Sequence, residues 1–291
     1  MERRHPILRR LALLALLGVV ALVVVALVRG EVGFVFGNTV AVVELRGVIQ
    51  DARDQIEALE RFRKQDAVVA VVLRIDSPGG AVAPSQELYD AVWRVREQKP
   101  VIASLGSVAA SGGYYVASAA NRIFADPGTI TGSIGAIMSV PQYAPLAAKI
   151  GVSEEVVKSG RFKDTGHPLR PLAPEERALL QGMIDDVLGQ FVDAVAKGRK
   201  MDAGKVRTLA DGRVFSGAQA HKVGLVDDLG GLDAAIRLAW EQAGQTGEPH
   251  VMTVRPHRRL WFLDLLENAL GLEPVGGIGG LFYLYRGAIP Q

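Results

Sequence analysis

The chain has 291 residues, 49% of them apolar and 22% charged, with no cysteine and a formal net charge of only +2. That composition excludes a disordered chain and a disulfide scaffold, and it removes thiolate metal sites and cysteine nucleophiles together. Arg3, Arg4, Arg9 and Arg10 against Glu2 carry more than the whole net charge, so the rest of the chain offers no broad basic surface and no nucleic-acid partner is expected.

In chain order, residues 1–10 read as a short cytoplasmic N-terminus and residues 11–28 as a transmembrane anchor. Every residue from Leu11 to Val28 is apolar apart from Gly18. As a helix this run spans roughly 27 Å, close to a hydrocarbon core of about 30 Å. Four arginines precede it and only Arg29 follows closely, which puts the N-terminus inside and the remaining chain outside. A cleaved signal peptide is the competing reading, but its apolar core is usually shorter and ends in small residues, so an uncleaved single pass in contact with lipid is expected.

Residues 29–39 read as a linker, 40–245 as the main domain, and 246–291 as a C-terminal strand followed by an apolar tail. Val40 to Ile49 is β-rich and Ala52 to Lys64 helix-like, while Ala67 to Ile75 is an almost wholly apolar run that ends at Asp76-Ser77-Pro78-Gly79-Gly80. Ser85 to Gln98 follows as a helix, Val101 to Ser104 as a strand, then the small-residue segment Ala109 to Tyr115, a strand at Arg122 to Ala125 and a glycine-rich turn from Asp126 to Gly135. The pattern predicts a helix from about Gln142, a strand at Val156 and Val157, and a polar loop from Lys158 to Arg170. Pro174 with Glu175 and Glu176 starts a helix that runs to about Lys200. Gly217 to Lys222 and Leu232 to Gln242 are shorter helices. Continuous apolar strands between amphipathic helices predict an α/β sheet covered on both faces. The end, Leu281-Phe282-Tyr283-Leu284-Tyr285, is apolar enough to need a cover, from its own domain, a neighbouring subunit, a peptide groove or the membrane.

Two small-residue elbows follow apolar strands, and each has a feature that acyl transfer requires. Gly79 and Gly80 have no side chains to obstruct a backbone amide turned toward an oxyanion, and Ser111 is followed by Gly112, whose amide is a second donor. Ser-Gly-Gly by itself is most often a helix cap or turn. A serine nucleophile also needs a base. Of the five histidines only His167 lies in a polar loop, and no Gly-x-Ser-x-Gly elbow surrounds Ser111. Lysine can serve as the base where burial favours its neutral amine, and Lys163, in Ser159-Gly160-Arg161-Phe162-Lys163-Asp164, is the candidate, although spacing alone would make it an ordinary solvated lysine. No metal-ligand spacing of His, Asp and Glu stands out, so neither metal nor cofactor is expected.

Taken in order, Asp76-Ser77-Pro78-Gly79-Gly80, Ala109-Ala110-Ser111-Gly112-Gly113-Tyr114-Tyr115, Thr131-Gly132-Ser133-Ile134-Gly135 and the segment around Lys163 resemble the motif series of the signal peptide peptidase SppA family. The resemblance covers roughly Val40 to Gly231. It implies a ClpP/crotonase-like fold and a serine endopeptidase that degrades residual signal peptides at the extracytoplasmic side of a bacterial cytoplasmic (inner) membrane. It also implies Ser111 as nucleophile, Lys163 as base, Ser133 as the hydroxyl that holds the lysine amine, and Gly79 or Gly80 with Gly112 as oxyanion donors. The chain looks like the short form of the family, with one catalytic unit. Similar short proteins assemble as homo-oligomeric rings in which the serine of one subunit meets the lysine of the next. Three other readings share part of this pattern: a stomatin-operon-type protease cleaving a membrane protein, an acyl-CoA hydratase or isomerase of the crotonase type, and a non-catalytic crotonase-like scaffold. Asp126 and Asp164 read as structural, and Tyr114 and Tyr115 as helix packing.

Overall fold

The computed structural model describes residues 37–254 and 282–284. The chain divides after Asn38, and the unit beginning at Thr39 holds all the elements below. The anchor read at residues 11–28 lies outside the described residues; among those described, no helix is long and apolar enough to cross a membrane.

Strand β1 (Thr39–Arg46) leads through helix α1 (Arg53–Lys64) to β2 (Val68–Ser77), a short β3 (Gly79–Ala81) and helix α2 (Val82–Arg96). Then come β4 (Val101–Ala110), α3 (Gly112–Ala117), β5 (Arg122–Ala125), β6 (Ile130–Gly132), α4 (Ala144–Lys149) and the long α5 (Pro174–Arg199). The order closes with α6 (Ala203–Leu209), β7 (Val214–Ser216), α7 (Gly217–Val223), β8 (Asp228–Leu229), α8 (Leu232–Gln242), β9 (Val251–Val254) and β10 (Phe282–Leu284).

The main sheet runs β7-β6-β4-β2-β1-β9, with β5 pairing β4 and β8. Its pairs are parallel except for β6 with β7. Period-2 alternation sorts its side chains. Ala41, Val43 and Leu45 of β1 join Val71, Leu73 and Ile75 of β2 on the face covered by α1, α2, α3 and α5, while Val40, Val42, Ala70 and Val72 face Ile236, Ala239 and Trp240 of α8. Each fully buried valine, leucine or isoleucine here contributes about 1.5–3 kcal/mol, and each alanine less. The near-continuous apolar run of β2 thus reflects cover on both faces.

Two sequence expectations need correction. Val156 and Val157 form no strand: the segment has no partner in the described sheets, and Val157 is 95% exposed. Strand β4 does not stop at Ser104 but continues to Ala110, through a stretch in which Gly106, Ser107, Ala109 and Ala110 weaken the strand signal of Leu105 and Val108. The extension is held from outside itself, because the Val108 amide donates to Asp76 Oδ1 (3.1 Å) and β6 pairs Ile130 to Gly132 with Val108 to Ala110. Thr129 and Thr131 donate their hydroxyls to the carbonyls of Gly106 and Ala109 (2.8 and 2.7 Å), completing the brace.

Candidate active site

Ser111 sits where β4 ends and α3 begins, 2% exposed, with φ 53° and ψ −120°. A positive φ in a residue with a Cβ is strained, and it persists only where the surroundings over-determine it. Here they do. The Ser111 amide donates to the Gly132 carbonyl (2.8 Å), its carbonyl accepts from the Tyr115 amide (2.8 Å), and Gly113 passes so close to the Ser77 carbonyl that a Cβ would lie 2.8 Å from it. Neither the Ser111 hydroxyl nor the Gly112 amide makes a hydrogen bond among the described residues.

Helix α3 is pinned by its two tyrosines. Buried Tyr114 donates its hydroxyl to the Leu225 carbonyl (2.8 Å), and the ring of Tyr115 lies 5.0 Å from Tyr89 of α2 and 4.9 Å from Phe191 of α5. Such aromatic contacts add about 0.5–1.5 kcal/mol each beyond area burial. Gly198 of α5 packs directly on the Ser118 carbonyl, where a Cβ would fall 2.0 Å from the oxygen. Both tyrosines therefore act as packing groups that fix the elbow.

Ser133 is the twin of Ser111. It follows Gly132 at the end of β6, is 8% exposed and has φ 51°, with its amide on the Arg213 carbonyl (2.9 Å). The structure brings Ser111 and Ser133 to neighbouring strand ends.

The first elbow supplies amides. Gly79 has φ 99°, and its amide donates to Ser77 Oγ (3.1 Å). Its carbonyl accepts from the Ile49 amide (2.9 Å), and the Ala81 amide donates to the Ile49 carbonyl (2.7 Å). Gly80, held between those two bonds, turns its own amide and carbonyl to the opposite edge. A Cβ there would lie 2.1 Å from the Ile49 carbonyl oxygen, so only glycine permits this approach. That opposite edge is where β10 lies, antiparallel to β3, with Tyr283 across from Gly80 and Leu284 across from Gly79. The chain's own C-terminal segment thus occupies an extended-peptide lane beside the glycines.

Lys163 is not brought to these groups within one chain. It is exposed, in a turned segment where its amide donates to the Gly160 carbonyl (3.1 Å), and its amine makes no hydrogen bond or ion pair among the described residues. The loop around it is braced by charge. Asp164 accepts from Lys158 (2.5 Å) and Arg170 (3.0 Å), and Arg170 also pairs with Glu176 (2.5 Å), which accepts from the Ala173 amide (2.9 Å) at the start of α5. The Arg170 guanidinium and the Ala173 amide hold the Glu176 carboxyl down to about 2, and Arg170 with Lys158 holds Asp164 well below the usual carboxylate range. His167 is a brace as well: its Nδ1 accepts from the Leu169 amide (3.2 Å), and Nε2 lies 3.3 Å from Glu154. Asp126 begins the turn in which its carbonyl accepts from the Thr129 amide (3.0 Å).

Sequence reading assigned no role to Ser77, Thr131 or the Arg170–Glu176 pair. Ser77 carried a usable signal, since Ser-Pro-Gly is turn chemistry in which a hydroxyl binds the amide two residues on. The lysine brace carried none, because solvated charges in a polar loop look alike.

Two serines held at positive φ at adjacent strand ends, with an unbonded amide beside one of them and glycines at the next elbow, sit in an α/β protein with a parallel-rich sheet. The chain belongs to peptidase family S49, a family of serine-type peptidases, whose profile matches residues 94–246. A putative protease of Synechocystis is 48% identical over 60% of this chain and 63% of its own length. One of Methanocaldococcus jannaschii is 35% identical over 80% and 70%, and a putative signal peptide peptidase SppA of Enterococcus faecium 38% over 61% and 52%. The chain thus spans between about half and 70% of the length of these curated relatives.

Proposed function

We propose that the chain is a membrane-anchored serine endopeptidase of ClpP/crotonase-like fold, in which Ser111 is the nucleophile and Lys163 the general base. The observation that carries the reading is Ser111 itself, a nearly buried hydroxyl held at positive φ with no hydrogen-bond partner among the described residues, followed by the free amide of Gly112. Lys163 takes the Ser111 proton as the oxygen bonds to the peptide carbonyl carbon. The carbonyl oxygen becomes an oxyanion on the amides of Gly80 and Gly112. The lysine ammonium returns the proton to the leaving amine as the C–N bond breaks, leaving an acyl-enzyme on Ser111. Water then attacks that ester, gives its proton to Lys163, and the proton returns to Ser111. Ser133 orients the amine.

Because Lys163 is exposed in the single chain, the base reaches Ser111 from a neighbouring subunit of a homo-oligomeric ring. The apolar residues exposed near it, Tyr143, Leu146, Ile150, Val152, Val157 and Phe162, support that assembly. Residual signal peptides are the substrate class, cut outside the cytoplasm beside the membrane in which residues 11–28, by their sequence, would anchor the chain. A fluorogenic peptide and a serine-directed fluorophosphonate test the reading. The wild type should hydrolyse the first and be labelled on Ser111 by the second, and Ser111→Ala or Lys163→Ala should abolish turnover. Turnover retained in either variant removes the assignment.

A further inference from the structure

The first elbow offers two glycine amides, and only that of Gly80 faces the edge where β10 lies, since the Gly79 amide is held by Ser77. Gly79, at φ 99°, is a residue whose flanking peptide can turn either way at little cost. Something must hold it. Pro78 before it has a fixed φ and no amide of its own, so the nearest lock is the fully buried Ser77, whose Oγ accepts from the Gly79 amide at 3.1 Å. The same residue touches the second elbow, since its carbonyl abuts Gly113, two residues after Ser111.

We propose that Ser77 is a positioning residue for the oxyanion: its hydroxyl ties the Gly79 amide back and so presents the Gly80 amide, with that of Gly112, to the tetrahedral oxygen. The proposal rests on Ser111 being the nucleophile. Without the hydroxyl, the Gly79 amide is a buried donor with no acceptor, and turning its peptide to find one re-aims Gly80. Substrate still binds, because the β3 edge survives; what is lost is a donor aimed at charge that exists only in the transition state.

The test compares Ser77→Ala and Ser77→Thr with the wild type, using a fluorogenic peptide and a peptide aldehyde that adds Ser111 Oγ to its carbonyl carbon without a leaving group. Ser77→Ala is expected to lower kcat by about 10- to 100-fold, somewhat less than removal of an oxyanion donor itself. KM should stay near the wild-type value, aldehyde affinity should weaken in parallel with kcat, and Ser77→Thr should restore most of both. An unchanged kcat, or a loss confined to KM, overturns the proposal. If Ser77→Ala does not fold, a crystal structure of the wild-type aldehyde adduct decides: the oxygen on Gly80 and Gly112 with Gly79 still bound to Ser77 supports it, and the oxygen on Gly79 overturns it. A wild type without Ser111-dependent turnover overturns the nucleophile reading and this proposal together.

Discussion

Ser111 and Ser133 leave neighbouring parallel strands one residue beyond the paired Ala110 and Gly132, and both do so at positive φ, 53° and 51°. The amide of the first rests on the carbonyl just before the second. Each hydroxyl is therefore set by backbone that its own Cβ opposes.

That strain predicts a trade between stability and function. Ser111→Gly removes the Cβ at a positive φ and a nearly buried hydroxyl without a partner, so it should stabilise the fold by about 1 kcal/mol while eliminating turnover. Urea unfolding of the two proteins checks it, and a lower midpoint for the glycine variant counts against strain at this elbow.

If the base comes from the next subunit, two dead enzymes should complement each other. Ser111→Ala and Lys163→Ala chains, dissociated and reassembled together, form some sites with both groups intact, and random mixing gives up to about a quarter of wild-type activity. Activity that never rises above that of the separate variants places both groups on the same chain.

Strand β10 covers the β3 edge, with Tyr283 across from Gly80, and on the proposed reading an extended substrate pairs with that same edge. A chain ending at Gly280 should show KM lowered by up to about tenfold, since a tethered competitor reduces the fraction of competent enzyme, with kcat little changed. Kinetics on a fluorogenic peptide read this directly. An unaltered KM would mean that substrate enters by another edge.

The brace around Lys163 should fail in acid. Glu176 is held down to about 2 and Asp164 is also depressed, so the order they impose is complete above the ordinary carboxylate range of about 4 to 4.5 and is lost as pH falls from there toward about 2. In a Ser111→Ala background, which prevents self-cleavage, an acid-active protease should begin to cut within residues 158–170 over that window. Arg170→Gln should be cut there even at neutral pH. Resistance of Arg170→Gln at neutral pH would show that the ion pairs do not hold the loop.

The central sheet and the chemical elbows were readable from the chain alone, because both depend on local rules. Apolar runs with helical segments between them specify covered strands, and small residues around Ser111, Ser133 and Gly80 are required wherever backbone passes within contact distance of backbone. What only the tertiary structure decided is which groups meet. The continuation of β4 to Ala110 and the seat of β10 on β3 depend on partners about 20 to about 200 residues away, and the exposure of Lys163 on where its loop packs, and no pattern within a single segment encodes such partners.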